Sequence, residues 1–259
     1  MMEAIRERLA GIEREHRVRI LHACESGSRA WGFESQDSDY DVRFIYALSR
    51  DDYLSIDERR DVIEYPIEGD LDINGWELRK ALRLLRKSHP VLLEWLNSPI
   101  SYAGGVEAIA LRRLAAMFFD PLPCWHHYLS MARGNDRAYL HGDRVRLKKY
   151  LYVLRPLLAC RWLQRHRSQV PVRFDALVDA CLTEPDAVAA THDLLARKRA
   201  GGELEDGPPI PGLRRLIDDW VANPGEAPVA AVREAQEAEL LDLYFRWMVL
   251  GAWTGKLDG

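Results

Sequence analysis

The stretch GSRAWGFESQDSDYD, residues 27–41, predicts the fold of the N-terminal part of this chain. It begins with a Gly-Ser turn, whose backbone can approach a phosphate group, and ends with Asp39 and Asp41. Because alternate residues of a β-strand point to the same face, we expect these two carboxylates to project together. Adjacent carboxylates repel each other unless a cation lies between them, and hard oxygen ligands suit Mg²⁺. The stretch therefore indicates a metal-dependent nucleotide site.

The residues that follow predict a strand over 39–48. Apolar side chains occupy every second position: Tyr40, Val42, Phe44 and Tyr46. One face is thus expected to be buried, while the other carries the two acids and Arg43. Arg43 is predicted to contact a phosphate, with a salt bridge to an aspartate as the alternative. The competing interpretation of the acids is a polar turn before a strand.

A third carboxylate is expected on a later strand, since two aspartates rarely complete a two-metal site. Residues 61–67 and 70–75 read as two strands joined by a turn, with the apolar residues of the second strand facing the core. Asp70 and Asp72 lie on its polar face. We assign the third carboxylate to Asp72, which lies between two apolar neighbours, whereas Asp70 lies nearer the turn and is the alternative.

These residues predict a catalytic centre that binds two Mg²⁺ ions, with Mn²⁺ as an alternative. Asp39 and Asp41 would hold the metal bound to a triphosphate, and Asp72 would complete the second site and help to deprotonate the acceptor. Gly27 would let the backbone approach the phosphates without a Cβ clash, and Ser28 would offer its hydroxyl and amide N–H.

Length and composition indicate a globular protein of one large domain or two modest ones. The chain has 259 residues, of which 47% are hydrophobic and 29% charged. No apolar run approaches the roughly 20 residues of a membrane span, so no membrane association is expected. The N-terminus is charged and lacks a signal-peptide pattern. The four cysteines are widely spaced, which disfavours a zinc site or a disulfide framework and favours the reducing cytoplasm.

Periodicity predicts an α+β catalytic domain over residues 1–105, followed by an all-helical domain over residues 106–259. In the first domain we expect helices over 3–16, 77–88 and 91–97, strands over 17–25, 39–48, 61–67 and 70–75, and an edge strand near 98–102. After Gly104-Gly105 no further strand is predicted. The helices expected there cover 106–119, 122–140, 143–167, 174–199, 211–222 and 229–254, with a loop over 201–211.

Taken together, Gly27-Ser28, Asp39-x-Asp41 and Asp72 resemble the pattern of the polymerase-β nucleotidyltransferase superfamily. More narrowly, four stretches resemble the bacterial family of predicted nucleotidyltransferases of the YcgL type, also described as RNA-repair-pathway polymerase-β-like proteins. They are GSRAWGF (27–33), SDYDVRFIY (38–46), DINGWELRKAL (72–82) and LEWLNSPI (93–100). The resemblance covers residues 22–160. It implies a polymerase-β-like mixed sheet with flanking helices, and magnesium-dependent transfer of an NMP from an NTP, with ATP as the expected nucleotide.

On the predicted helix over 143–167, Lys148, Tyr152 and Arg155 are spaced i, i+4, i+7 and would share one face, which Lys149 adjoins. Given the resemblance, we predict that they bind the nucleotide. The cations would clamp the β- and γ-phosphates, and the ring would pack on the base or sugar. Without the resemblance, the same residues read as a partly buried face whose charged groups extend to solvent.

The charge distribution bears on the acceptor. The net charge is −4, yet the segment 126–167 contains ten Arg and Lys residues against two Asp, and the helix over 77–88 is also basic. Basic surfaces are consistent with nucleic acid binding, and the family is associated with RNA repair, so we predict an RNA end as the acceptor. A solvated helical face is the alternative interpretation of the charges. A protein or small-molecule hydroxyl remains an alternative acceptor, as does a non-catalytic, antitoxin-like nucleotide-binding module. The oligomeric state is not indicated.

Overall fold

The structure is a computed structural model that describes residues 1–200, 206–232 and 237–251. Its contacts divide the chain into two compact units. The sheet unit contains Met1–Gly27, Asp39–Phe119 and the described residues from Val232 onward. The helical unit contains Ser28–Ser38 and the described residues of Asp120–Ala231.

The sheet unit is built on a five-stranded mixed sheet. The strands are β1 (Arg19–Glu25), β2 (Tyr40–Ala47), β3 (Val62–Glu64), β4 (Leu71–Glu77) and β5 (Ser101–Gly104), in the order β3-β4-β2-β1-β5. Strands β2 and β4 are parallel, and the other neighbours are antiparallel. The helices of this unit are α1 (Met2–His16), α3 (Arg50–Tyr53), α4 (Leu78–Arg86), α5 (Pro90–Leu96), α6 (Val106–Met117) and α12 (Glu237–Arg246). Mixed sheet and helices confirm the predicted α+β class.

One face of the sheet packs against α1, as the alternation in β2 predicts. Val42, Phe44 and Tyr46 are buried there with Ile5 and Ile12 of α1. The side chains between them point to the opposite face, because successive residues of a strand alternate. Part of that face is also apolar: Trp76 of β4 lies 3.9 Å, between ring centroids, from Trp95 of α5. The acids therefore occupy only the beginning of β2 and β4.

The helical unit contains α7 (Pro121–Tyr139), α8 (Lys148–His166), α9 (Phe174–Cys181), α10 (Pro185–Arg199) and α11 (Pro211–Ala222). Its core includes Phe33, which is fully buried and lies 5.4 Å, between ring centroids, from Phe174. The segment between the Gly-Ser turn and Asp39 thus packs with helices that are distant in sequence. This segment begins with α2 (Gly27–Trp31), whose first residue belongs to the sheet unit.

The contacts divide the chain at residues other than the expected join near Gly104-Gly105. Helix α6 follows these glycines, yet it packs against β1 and β5 and belongs to the sheet unit. The described part of α12 belongs to the same unit and packs against α4. The assignment of a catalytic domain to residues 1–105 and of a helical domain to residues 106–259 stays a prediction.

Three secondary-structure predictions need correction. The helix expected over 174–199 is two helices. Leu182 is extended and ends the first, and Pro185 begins the second because proline disfavours a helical residue before it. In the helix expected over 229–254, residues 229–232 are not helical. Its residues 233–236 and 252–254 lie outside the described residues. Short strands β6 (Val145–Arg146) and β7 (Asp206–Gly207) pair where no strand was expected, since two residues have no detectable period. Residues 201–205 of the predicted loop also lie outside the described residues.

Among the described residues, no helix combines the length and the hydropathy that are needed to cross a bilayer.

Candidate active site

Two of the predicted carboxylates lie next to each other on the central strands. Strands β2 and β4 run parallel, and their register pairs Asp41 with Asp72. The side chains are 27% and 29% exposed, so solvent reaches both. Asp70 lies in the turn before β4, where it is exposed and its carbonyl accepts a hydrogen bond from the backbone N–H of Tyr40. Register thus brings Asp72, rather than Asp70, beside Asp41.

The two carboxylates share one cation, the guanidinium of Arg43. Its Nη2 atom lies 2.9 Å from Oδ1 of Asp41 and 2.7 Å from Oδ2 of Asp72, and its Nη1 donates to the Asp72 carbonyl at 2.9 Å. Arg43 is only 13% exposed. The salt bridge that the sequence left as an alternative for Arg43 is therefore present, and it offsets the repulsion between the acids. A phosphate contact by Arg43 stays a prediction.

The Gly-Ser turn packs directly against the carboxylate of Asp41. Gly27 has a φ of +58°, and a Cβ atom there would lie 1.9 Å from Oδ2 of Asp41. The backbone N–H of Ser26 donates to the carbonyl of Asp41 at 2.8 Å. Glycine is thus required here for its conformation and for the approach of the acid. Its approach to phosphate stays a prediction. So does the phosphate-binding role of Ser28, which is buried at the start of the helical unit.

Glu25, the last residue of β1, was not identified from the sequence. Its side chain is fully buried, and Oε1 accepts the backbone N–H of Asp41 at 2.7 Å. Oε2 accepts the hydroxyl of Tyr102 on β5. A buried carboxylate needs such donors, and here they fix the backbone at Asp41. An acid at the apolar end of a strand, two residues before the glycine, is the signal that could have indicated it.

The oxygen atoms on this face are of the kind that a hard divalent cation binds. Asp41 and Asp72 supply carboxylate oxygens, and Asn74, two residues further along β4, has a buried Oδ1 atom without a hydrogen-bond partner in the described part of the chain. Mg²⁺ is commonly bound by one or two carboxylates together with phosphate and water oxygens. Asp39 is exposed and precedes β2, and residues 1–200, 206–232 and 237–251 contain no group of three His, Cys, Asp or Glu placed to hold a metal. The two-ion site with Asp39 stays a prediction.

The predicted nucleotide-binding residues of α8 share one face, as their spacing predicts. Within the helical unit, the Tyr152 ring lies 5.6 Å from that of Trp31, and the Arg155 guanidinium lies 4.5 Å from the same Trp31 ring. Arg155 is only 2% exposed, and its Nη2 donates to the carbonyl of Val172. The alternative in which these charged groups extend to solvent is therefore wrong for Arg155. Its contact with a phosphate stays a prediction.

The two lysines at the start of α8 differ in their surroundings. Lys148 is exposed. Lys149 is half-buried, with its Nζ atom 4.3 Å from the centroid of the Tyr139 ring and 4.8 Å from that of Tyr152. Burial lowers the pKa of Lys149, and the charges of Lys148 and Arg146 lower it further. Lys148, Lys149 and Arg146 are thus three cations close together on the helical unit.

Comparison with known proteins identifies the family. The chain matches the RNA repair pathway DNA polymerase beta family, RlaP, over residues 1–246. It is also 48% identical over 228 residues to the uncharacterized protein YcgL of Bacillus subtilis (strain 168), which covers 88% of each chain. These matches confirm the family that the motifs in 27–46 and 72–100 resemble, and a polymerase-β-like family suggests a nucleotidyltransferase type of function. This chain, which pairs two aspartates on parallel strands, therefore belongs to the RlaP family of RNA repair pathway, polymerase-β-like proteins.

Proposed function

We propose that this protein is a metal-dependent, template-independent nucleotidyltransferase that moves an NMP from an NTP to a hydroxyl acceptor and releases pyrophosphate. The observation that carries the proposal is the pairing of Asp41 with Asp72 on parallel strands, joined by Arg43 and packed against the Gly27 turn. Membership in a polymerase-β-like family supports the same class of reaction. ATP is the proposed nucleotide.

In the proposed reaction, the acceptor oxygen forms a bond to the α-phosphorus of the NTP. The bond from that phosphorus to the oxygen bridging it to the β-phosphate breaks, and pyrophosphate leaves with the electron pair. Asp72 accepts the proton of the acceptor hydroxyl. Asp39 and Asp41 would hold the metal bound to the triphosphate, and Asp72 would complete the second metal site. Bound Mg²⁺, or Mn²⁺, would neutralise charge on the phosphates. Glu25 keeps Asp41 in place through the Asp41 backbone N–H.

Nucleotide binding in this proposal uses the Gly-Ser turn and the charged residues of α8. Gly27 and Ser28 donate backbone N–H groups to phosphate oxygens. Lys148 and Lys149 contact phosphates, and Tyr152 contacts the base or sugar. Arg155 contributes charge beneath Trp31. The contact of Lys149 with the Tyr152 ring keeps a positive charge beside the proposed base-binding side chain.

An RNA end is the proposed acceptor. The family to which this chain belongs is described as an RNA repair pathway family. In the sheet unit, Arg79, Arg83 and Arg86 of α4 line a cavity of about 390 Å³ together with Phe245 of α12. Arg83 is exposed and has no ion-pair partner among the described residues. Arginines beside an aromatic ring are the features that bind single-stranded nucleic acid, through phosphates and stacked bases.

The proposal is tested by incubating the protein with each labelled NTP, Mg²⁺ and separate pools of RNA, protein and small molecules. We expect label from ATP to appear at RNA ends with release of pyrophosphate, and Asp41→Asn to abolish transfer without unfolding the protein. Label in protein or small molecules would instead assign a protein- or small-molecule-modifying enzyme. Binding of NTP without pyrophosphate release in any pool would favour a non-catalytic module.

A further inference from the structure

Two lysines of the helical unit lie beside one cluster of aromatic rings, and a third lies close enough to repel both. Lys198 on α10 places its Nζ atom 5.6 Å from the centroid of the Phe33 ring. Lys149 on α8 lies 4.8 Å from the Tyr152 ring, and the centroids of Phe33 and Tyr152 are 6.2 Å apart. Lys148 precedes Lys149 on the same helix. We call Lys148, Lys149 and Lys198 the lysine cluster.

The lysine cluster has an excess of positive charge. No carboxylate of residues 1–200, 206–232 or 237–251 forms an ion pair with any of the three ammonium groups. Burial lowers the pKa of both Lys149 and Lys198, and the charge of Lys148 lowers both further. Glu34 acts in the opposite direction on Lys198, and Arg146 adds to the effect on Lys149. Half-buried cations that repel each other raise the free energy of the folded state, and a bound polyanion would offset this repulsion.

The surroundings of the cluster favour an extended anion over a single small one. The ammonium groups come from two helices, so a ligand that contacts all of them needs several charged groups in a row. Phosphate oxygens accept strong, charge-assisted hydrogen bonds from lysine, and a polyphosphate offers them repeatedly. Phe33 is fully buried in the core, which holds the ring beneath Lys198 in a fixed position.

From this arrangement we infer that the lysine cluster is a polyphosphate-binding site, and that Lys198 is one of its binding residues. Its ligand is the triphosphate of a nucleotide, an identity that rests on the proposed nucleotidyltransferase function. Lys198 lies between Arg197 and Arg199 in the last turn of α10, and its spacing in the sequence gives no indication of this role. The position of Lys198 in the lysine cluster follows only from the packing of α10 against α8.

The first experiment measures binding of inorganic tripolyphosphate to the whole protein by titration calorimetry at low salt. We expect Lys198→Gln to weaken binding about tenfold, because one charge-assisted contact is lost. Lys198→Arg keeps the charge and is expected to retain most of the affinity. The control is Arg215→Gln, which removes an exposed charge of the same unit outside the cluster and should leave the affinity unchanged.

The second experiment needs no variant. An amine-reactive acylating reagent labels lysines, and mass spectrometry follows each site with and without tripolyphosphate. We expect tripolyphosphate to protect Lys148, Lys149 and Lys198 but not Lys80, which pairs with Asp61 in the sheet unit. Equal labelling of the cluster in both conditions, or unchanged affinity in Lys198→Gln, would overturn the inference.

Transferase assays run in parallel separate this inference from the proposed function. Tripolyphosphate binding that depends on Lys198, without any nucleotidyl transfer, would support the cluster and count against the enzyme. Transfer by a protein whose tripolyphosphate affinity does not depend on Lys198 would support the enzyme and reject the cluster.

Discussion

A Cβ atom on Gly27 would lie 1.9 Å from Oδ2 of Asp41, so the carboxylate occupies the space that any other side chain at position 27 would need. Gly27 also has a φ of +58°, which L-residues with a side chain rarely adopt. The Gly-Ser turn and the acid of β2 are therefore one structural unit, although 13 residues separate them in the sequence. A side chain added at position 27 must therefore displace the carboxylate of Asp41.

We predict that Gly27→Ala abolishes nucleotidyl transfer, because the new methyl group displaces the Asp41 carboxylate. The left-handed backbone adds about 1–2 kcal/mol of strain. Gly69→Ala is a matched control, since Gly69 has a φ of +59° and a Cβ there would meet no atom within 4 Å. Both variants should lose stability in thermal unfolding, but only Gly27→Ala should lose transfer activity. Equal activity of the two variants would contradict the coupling of Gly27 to Asp41.

Arg43→Met is predicted to make stability more dependent on Mg²⁺. Without the guanidinium, Asp41 and Asp72 repel each other. We therefore expect the free energy of unfolding in EDTA to fall by about 1–2 kcal/mol, since partial exposure of the acids weakens their repulsion. A divalent cation can replace the lost charge. Thermal unfolding during a Mg²⁺ titration should show stabilisation of Arg43→Met at lower concentrations than for the wild type.

The control for this experiment is the double variant Arg43→Met with Asp41→Asn, which leaves Asp72 as the remaining carboxylate of the Asp41–Asp72 pair. Its unfolding temperature should respond much less to Mg²⁺. A response as large as that of Arg43→Met would place the metal elsewhere.

Glu25→Gln should reduce both stability and transfer activity. Glutamine has an NH2 donor in place of one of the two carboxylate oxygens, so either the Asp41 N–H or the Tyr102 hydroxyl loses its acceptor. A buried donor left without a partner costs about 1–3 kcal/mol, measurable by urea unfolding. Tyr102→Phe removes one of these bonds and leaves the Asp41 contact intact. It should therefore lose stability but keep most activity, and an equal loss of activity would show that Glu25 acts only through the fold.

Charge reversal on α4 tests the RNA acceptor. Arg83→Glu and Arg86→Glu should weaken RNA binding without changing NTP binding, because both residues line the cavity beside Phe245. Affinity for single-stranded RNA should fall with salt, with a log-log slope of about 0.7 for each phosphate contacted. Arg113→Glu, on the exposed side of α6 in the same unit, is the control. Salt-independent affinity, or an equal effect of Arg113→Glu, would favour a protein or small-molecule acceptor.

Local sequence determined the elements around the candidate site. The alternation of Val42, Phe44 and Tyr46 predicted strand β2 and its buried face, because burial repeats with the period of the strand. The same reasoning identified β4 and favoured Asp72 over Asp70. Motifs in these elements also identified the family. The helix expected over 174–199 was wrong although Pro185 marked its interruption, since the apolar pattern continues on both sides.

Other features depend on pairs of residues that are distant in sequence, and only the tertiary structure decided them. The parallel register of β2 and β4 brings Asp41 to Asp72, and Arg43 to both. The packing of α10 on α8 brings Lys198 to the other lysines. The sequence by itself thus determined which residues carry the charges and which elements hold them. Strand pairing and helix packing decided which charges meet, because electrostatic contacts depend on distance in space and leave no periodic trace along the chain.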